Sequence, residues 1–232
     1  MSKYLSYENK IQKLNLDDCE NNVINSFHNV SYPCDLGIVF FCNGNRSLFE
    51  ELLFEINVIY KSYFFEIKEI KVENNLFFSE DKRKRVKFRA ESKEIFLFPT
   101  NQFYEKILKL RIMNDFNIGV GITDLPIYSS SNDNLVFLYG EAHLWHNCAI
   151  ISSYNLKSEP ISSQEYNNVI QNRIIKEVIH EIGHIILGLV HCVNNYCVMS
   201  YSKNLRDVDK KSFYLCNDCR VKLKTIKISS NL

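Results

Sequence analysis

Short apolar runs of strand length recur along the chain. Leu36–Cys42 is continuously apolar, as expected for a buried strand, and Ile67–Val72 alternates apolar and polar positions. Three later runs, separated by turn-rich segments, have the composition of strands. They are Phe116–Leu125, Asn134–Ala142 and Cys148–Leu156.

Segments with helical spacing lie between these runs. Ser47–Phe65 and Asn101–Met113 repeat apolar residues every three or four positions, which predicts two helices. In the first segment Ser47 is a candidate N-cap, and Glu50 stands at the spacing of a capping box. This alternation of strands and helices predicts an α/β fold built on a sheet.

A longer helix is expected after Pro160, where Ser162 and Glu165 have the spacing of a second capping box. Its apolar residues form a stripe that should face the core. The stripe consists of Tyr166, Ile170, Ile174, Ile175, Val178, Ile179, Ile182 and Ile186. At about 100° per residue, His180 and His184 fall on nearly the opposite side, where we expect an open cleft.

Composition supports a single folded domain over residues 1–232. Apolar residues make up 46% of the chain, so it is not a disordered segment, and with 7 Gly and 4 Pro no stretch resembles a linker. We expect an N-terminal extension over residues 1–30, where patterns are weak. We also expect a small C-terminal lobe over residues 192–232.

Charge and cysteine usage narrow the class of protein. The net charge of +1 gives no reason to expect a nucleic-acid or membrane partner. The polar N-terminus lacks the apolar segment of a secretory signal, and no apolar run reaches the roughly 18 residues of a membrane span. We therefore expect a cytoplasmic protein whose eight cysteines are reduced thiols or metal ligands.

The motif His-Glu-Ile-Gly-His at positions 180–184 places two imidazoles four positions apart on one helix. That spacing corresponds to about 6 Å of rise and about 40° of rotation, so both rings can reach one zinc ion. Glu181 between them can hold a water at that metal. The alternative is a helix that carries two histidines and a glutamate on its surface.

His191 is a candidate third ligand. If the helix continued past His184, the next seven residues would carry the chain about 10.5 Å along the axis, too far for the same metal. The helix must therefore end and the chain must fold back. Gly188 is the residue able to adopt the left-handed backbone of a helix C-terminus.

Four cysteines follow in two close pairs separated by a loop, which is the pattern of a tetrahedral structural zinc site. They are Cys192, Cys197, Cys216 and Cys219. Four unrelated buried thiols are the alternative. Because Cys192 directly follows His191, one metal site would fix the backbone beside a ligand of the other.

Together these residues resemble the archaemetzincins, a branch of the metzincin zinc peptidases. The metzincin pattern is His-Glu-x-x-His-x-x-Gly-x-x-His followed by a turn that contains methionine. Archaemetzincins add the four-cysteine site, and Met199, which follows Cys197 closely, matches the methionine. The similarity covers roughly residues 34–224.

The resemblance implies a twisted, mostly parallel sheet with one antiparallel edge strand above a cleft and a long active-site helix below it. The edge strand would be Asn134–Ala142, to which a peptide substrate could add as a further strand. Met199 would form an apolar floor under a catalytic zinc ion bound by His180, His184 and His191. The cysteines of the C-terminal lobe would bind a second, structural zinc ion.

One feature departs from the family pattern. Three residues, Ile185–Leu187, stand between His184 and the glycine, where the family has two. Left uncorrected, the extra residue rotates the helix exit by about 100° and moves His191 away from the metal. Our hypothesis is that a π-bulge or a widened turn absorbs the residue and restores coordination by three histidines.

With the site intact, the predicted function is hydrolysis of peptide or protein substrates by a zinc-activated water, with Glu181 as general base. A catalytically silent, zinc-stabilised scaffold is the first alternative, because of the inserted residue. The second is a nucleic-acid-binding zinc module that uses the basic run Lys82–Arg89. Acidic neighbours such as Glu80 and Glu91 favour a solvated loop for that run. For the oligomeric state, we expect a monomer.

Overall fold

The structure is a computed structural model that describes residues 30–42, 46–72, 82–88, 93–131, 137–157 and 163–230. Nearly all of the expected N-terminal extension lies outside these residues. So do Ser162 of the second predicted capping box and the first part of the predicted edge strand.

Eight strands lie in the described part of the chain. They are β1 (Cys34–Phe40), β2 (Phe64–Lys71), β3 (Lys84–Phe88), β4 (Lys93–Pro99), β5 (Ile118–Thr123), β6 (Ile127–Tyr128), β7 (Gly140–His143) and β8 (Cys148–Ser152). Five of them form the main sheet in the order β2-β1-β5-β8-β7. All neighbours in it are parallel except β7, which runs antiparallel to β8 at the edge. The predicted mostly parallel sheet with one antiparallel edge strand is therefore confirmed.

A second sheet of three strands, β3-β4-β6, was not predicted. Strand β3 occupies most of the basic run, so the predicted solvated loop is wrong. Its residues pair with β4 instead: Arg85 forms an ion pair with Glu94, and the guanidinium of Arg83 lies 4.6 Å from the ring centre of Phe96. These cross-strand partners allow a charged sequence to form an ordered strand.

Five helices lie in the described residues. They are α1 (Arg46–Tyr60), α2 (Thr100–Asn114), α3 (Ser163–Leu187), α4 (Leu205–Lys210) and α5 (Asn217–Ser230). Because α1 begins at Arg46, Ser47 lies inside its first turn, and the predicted N-cap is wrong. The helix also ends before Phe65, since the apolar residues after Tyr60 include the first residues of β2. None of the five helices combines the length and apolarity needed to cross a membrane.

Helix α3 packs its apolar stripe into the main core. Ile174, Ile175, Val178, Ile179 and Ile182 are all buried, which confirms the predicted stripe over this part of the helix. Helix α1 packs in the same core through side chains such as Leu52 and Ile56. On the other face of the sheet, α2 forms a smaller cluster against β8.

The C-terminal lobe is bound to α3 by polar side chains. Arg173 donates to both carboxylate oxygens of Asp209 at 2.7 Å, and Lys176 donates to the carbonyl oxygens of Val208 and Asp209 at 3.1 and 3.0 Å. The helix that carries the motif at 180–184 is therefore fixed on the sheet side by apolar packing and on the lobe side by hydrogen bonds.

Candidate metal centres

The end of helix α3 explains how the chain accommodates its extra residue. The helix stays α-helical through Leu187, and the Gly188 N–H donates to the His184 carbonyl at 2.9 Å. Gly188 has a φ of +91° and so provides the left-handed turn that commonly ends a helix. The predicted π-bulge is wrong: residues 185–187 continue the regular α-helix, and Gly188 then turns the chain back.

This turn brings the three predicted histidine ligands together. One ring nitrogen from each of His180, His184 and His191 lies within 4.8 Å of the other two. The ring centre of His191 lies 5.3 Å from the ring centre of His180 and 4.8 Å from that of His184. The geometry is that of a three-histidine cluster, and the role of these residues as zinc ligands stays a prediction.

The first two imidazoles are oriented by backbone carbonyls. Nδ1 of His180 donates to the Val198 oxygen at 2.7 Å, and Nδ1 of His184 donates to the Gly188 oxygen at 3.0 Å. A carbonyl only accepts, so both Nδ1 atoms carry the proton and both Nε2 atoms present lone pairs. Burial lowers the pKa of His184 to about 4 and that of His180 well below its usual value, so both rings are neutral at pH 7.

The donor set fits a zinc ion. Nε2 of His180 and Nε2 of His184 lie 3.0 Å apart, a separation at which one zinc ion could accept both lone pairs. Neutral imidazole nitrogens, oriented through their other nitrogen by a carbonyl, are typical zinc ligands. With the ring of His191 as a third ligand, a tetrahedral zinc ion would keep one position for water or substrate.

Access to this cluster differs from the sequence expectation. His180 and His184 are each 4% exposed, and every residue of α3 from 173 to 184 is buried. The predicted open cleft at these two histidines is wrong, because strand β7 and the C-terminal lobe enclose the helix. His191 is the exposed member, and the exposed ring of Tyr201 lies 5.1 Å from its ring. The opening of the site is therefore on the His191 side.

Glu181 lies inside this enclosure. It is 3% exposed, and its carboxylate is in contact with Gly140 of the edge strand β7. Burial raises the pKa of Glu181 well above its usual value, and the nearby carboxylates of Glu177 and Glu141 raise it further. The side chain is thus a buried carboxyl group, directly after His180 in the chain, that holds its proton more tightly than an exposed glutamate does.

A buried ion pair, which the sequence patterns did not indicate, lies behind the cluster. Nζ of Lys211 lies 3.5 Å from Oε1 of Glu177, and the two side chains are 1% and 4% exposed. The positive charge of Lys211 adds to the effect of burial in lowering the pKa values of the histidines. The two residues are distant in sequence, so no spacing rule could have paired them.

The four predicted cysteines also converge. Their sulfur atoms all lie within 4.8 Å of one another, with Cys192 to Cys216 at 3.6 Å and Cys197 to Cys219 at 3.8 Å. Tetrahedral zinc with bonds of about 2.3 Å places its sulfur ligands about 3.8 Å apart, whereas a disulfide places them at about 2.05 Å. The donor set and spacing fit a closed metal site, and its occupancy by zinc stays a prediction.

One short segment connects the two clusters. Cys192 donates its backbone N–H to the Met199 carbonyl at 2.8 Å, and Val198 supplies the carbonyl that orients His180. Met199 is buried and packs against Gly183 in the turn of α3 between the two histidines. The backbone segment between Cys192 and Met199 thus also fixes the orientation of the His180 ring.

His143 and His146 take no part in either cluster. Their rings stack on each other with centres 4.1 Å apart, beside the ring of Tyr104. His143 ends β7 and His146 lies in the short 3-10 helix that follows, next to the half-exposed Trp145.

The sequence model of peptidase family M54 matches residues 33–225, which is most of the chain. The chain belongs to peptidase family M54. The predicted resemblance to archaemetzincins is confirmed, and with it the predicted class of enzyme, a zinc metallopeptidase. The archaemetzincin of Methanocaldococcus jannaschii is 39% identical over 127 residues, which are 55% of this chain and 69% of that protein. The archaemetzincin of Archaeoglobus fulgidus is 36% identical over 121 residues, or 52% of this chain and 69% of that one.

Solved structures of archaemetzincins share the fold. The archaemetzincin of Methanopyrus kandleri superposes with a TM-score of 0.62 at 21% identity, over 83% of this chain and 94% of that one. The archaemetzincin of Archaeoglobus fulgidus, crystallised with malonate, gives a TM-score of 0.53 at 25% identity, over 81% of this chain and 99% of that one. The predicted α/β architecture with a long helix and a cysteine-rich C-terminal lobe is confirmed.

Proposed function

We propose that this chain hydrolyses peptide bonds with a zinc ion bound by His180, His184 and His191 and with Glu181 as general base. The observation that carries the proposal is the convergence of three imidazoles at the end of α3, two of them with their Nε2 lone pairs facing each other. Membership of a metallopeptidase family supports the same chemistry.

Each residue has a separate task in this reaction. A zinc ion in the histidine cluster would polarise the scissile carbonyl and lower the pKa of a coordinated water to about 7. Glu181 accepts the proton of the attacking water and delivers it to the departing amine. Val198 and Gly188 keep His180 and His184 in the tautomer that a metal requires, through hydrogen bonds to Nδ1.

The edge strand β7 would position the substrate. Within the described residues, β7 pairs with β8 on one side, and its other edge faces no strand of the main sheet. A peptide in extended form gains main-chain hydrogen bonds by adding to such an edge. Because β7 contacts Glu181 through Gly140, a peptide bound there lies close to the general base.

The cysteine cluster would bind a second zinc ion with a structural role. Four protein ligands fill a tetrahedral site and leave no position for a substrate. The ion would fix residues 192–200, from which Val198 orients His180 and in which Cys192 directly follows His191. Two zinc ions per chain with different tasks are therefore expected.

Replacement of Glu181 tests the proposal. Glu181→Gln keeps the size of the side chain but removes the base, so hydrolysis of a fluorogenic peptide library should be lost while two zinc ions per chain remain. Glu51→Gln, on the exposed face of α1, is the matched control and should retain activity. Full activity of Glu181→Gln would overturn the role of Glu181. A wild-type protein with one tightly bound zinc ion and no turnover would favour the scaffold alternative.

A further inference from the structure

We propose that Gly140 is a positioning residue for Glu181: the missing side chain at position 140 creates the space that holds the Glu181 carboxylate beside the histidine cluster. The inference rests on the proposed function, because it concerns the proposed general base. It assigns a task in the reaction to a residue of the edge strand β7.

The backbone of Gly140 gives no reason for a glycine. The residue lies in β7 and pairs with Ile151 of β8 in a regular antiparallel register. Among the described glycines, Gly188 alone has a positive φ, so Gly140 has a backbone that other residues adopt. A glycine inside a strand weakens it and commonly marks a close approach by another group.

That group is Glu181. A Cβ atom built on Gly140 would lie 2.7 Å from Oε1, 3.0 Å from Cγ and 3.1 Å from Cδ of Glu181, and these are its three nearest atoms. All are closer than ordinary van der Waals contact between carbon and carbon or oxygen. A side chain at position 140 and the present position of the Glu181 carboxylate therefore exclude each other.

The strand cannot easily move away to relieve such a clash. On its opposite face, the next residue Glu141 accepts a hydrogen bond from the Tyr104 hydroxyl at 2.8 Å and another from Ser129. The β7–β8 ladder fixes the register from the other side. Glu181 is the end of a flexible side chain, so the carboxylate rather than the strand would be displaced.

The contact between Gly140 and Glu181 connects β7, the strand to which a peptide would add, with the proposed general base. If a peptide adds to the free edge of β7, the position of its scissile bond is set relative to the same strand that sets Glu181. Displacement of a reacting group by about 1 Å can lower a rate by about 10²-fold. The space at Gly140 therefore matters for turnover more than for folding or metal binding.

The first test is Gly140→Ala. We expect kcat to fall by about 10²-fold, with KM and zinc content unchanged, because only the proton acceptor moves. Gly121→Ala is the matched control: its Cβ would lie 2.8 Å from Phe41, 2.9 Å from Ile150 and 3.0 Å from Ile107, a similar crowding away from Glu181. It should lower the melting temperature and leave the kcat of the folded protein unchanged.

A double-mutant cycle separates the proposed contact from a general defect. With Glu181 present, Gly140→Ala crowds the Glu181 carboxylate and should also lower the melting temperature. In a Glu181→Ala background the carboxylate is gone, so Gly140→Ala should leave the melting temperature unchanged. This comparison needs no catalytic activity and remains informative if Gly140→Ala alone is poorly folded. Equal shifts in melting temperature in both backgrounds would overturn the inference, as would an unmoved Glu181 carboxylate in a crystal structure of Gly140→Ala.

The outcomes distinguish this inference from the proposed function. Full hydrolysis by Glu181→Gln would defeat the proposed function, whatever Gly140→Ala does. An inactive Glu181→Gln together with a fully active Gly140→Ala would leave the general base in place and defeat only the positioning role of Gly140.

Discussion

The Nε2 atoms of His180 and His184 lie 3.0 Å apart, although each ring already uses Nδ1 to donate to a backbone carbonyl. Neither neutral ring has a proton left to place between them. Because burial keeps both rings neutral at pH 7, the pair presents two lone pairs in one small space. A metal ion bound here would convert this repulsion into two bonds.

Mild removal of metal should show that the histidine cluster loses its zinc ion more readily than the cysteine cluster does. The histidine cluster reaches solvent at His191, whereas the four cysteines would surround an ion completely and leave no position for water. Dialysis against a mild chelator is expected to remove one zinc ion per chain and all peptidase activity, and added zinc should restore both. Metal analysis alongside kinetics checks this, and full activity after loss of that ion would contradict the assignment.

Gly188→Ala should destabilise the end of α3 through backbone conformation alone. Its φ is +91°, and a Cβ there would meet nothing within 4 Å, so steric overlap with neighbours is not the cause. A left-handed backbone costs a residue with a side chain about 1–2 kcal/mol, and asparagine tolerates it better than alanine. Urea unfolding should therefore rank wild type above Gly188→Asn and Gly188→Ala lowest, with zinc affinity of the histidine site falling in the same order. Equal stability of all three proteins would contradict the role of the turn.

The features predicted from sequence are those encoded by short-range spacing. The apolar stripe of α3 follows one period over many turns, and its buried isoleucines were correctly placed. The positions of His180 and His184 follow from the same helical geometry. His191 can reach the same metal only if the chain turns back after His184, and Gly188 is the only glycine between these two histidines.

The features that were missed depend on contacts between distant residues. The spacing from His184 to Gly188 is compatible with a regular helix and with a π-bulge, and the hydrogen bond from Gly188 to His184 identifies the regular helix. The charges of strand β3 favour a loop when considered alone, and their partners on β4 become visible only in the folded hairpin. The pairing of Glu177 with Lys211 likewise joins segments with no common sequence pattern.

Lys211→Met should leave a buried carboxylate without its partner. Glu177 and Lys211 are almost completely buried, and burial already raises the pKa of Glu177 despite the lysine. Loss of one partner of a buried pair costs about 3–5 kcal/mol, and Glu177→Gln in the same chain should recover part of that. Lys203→Met, at an exposed position, is the control. Urea denaturation measures the free energy of unfolding of Lys211→Met, of the double variant with Glu177→Gln, and of the control. A Lys211→Met protein as stable as the control would contradict the prediction.

Gly183→Ala should destabilise the protein by overpacking between α3 and the methionine turn. A Cβ on Gly183 would overlap Sδ of Met199 and lie 2.9 Å from both Cε of Met199 and the Tyr60 hydroxyl oxygen. Tyr60 is held by its hydrogen bond to the Ile179 carbonyl at 3.0 Å, so it cannot readily move aside. Overpacking of this kind costs about 1–3 kcal/mol.

The same overlap predicts a rescue. Met199→Ala alone should also destabilise, by about 2–5 kcal/mol, because it leaves a cavity beside Gly183. In the double variant the new methyl group occupies part of that cavity, so the combined loss should be smaller than the sum of the single losses. Thermal and urea unfolding of the four proteins measure this coupling. Strict additivity would mean that Gly183 is not the residue that admits Met199 against the helix.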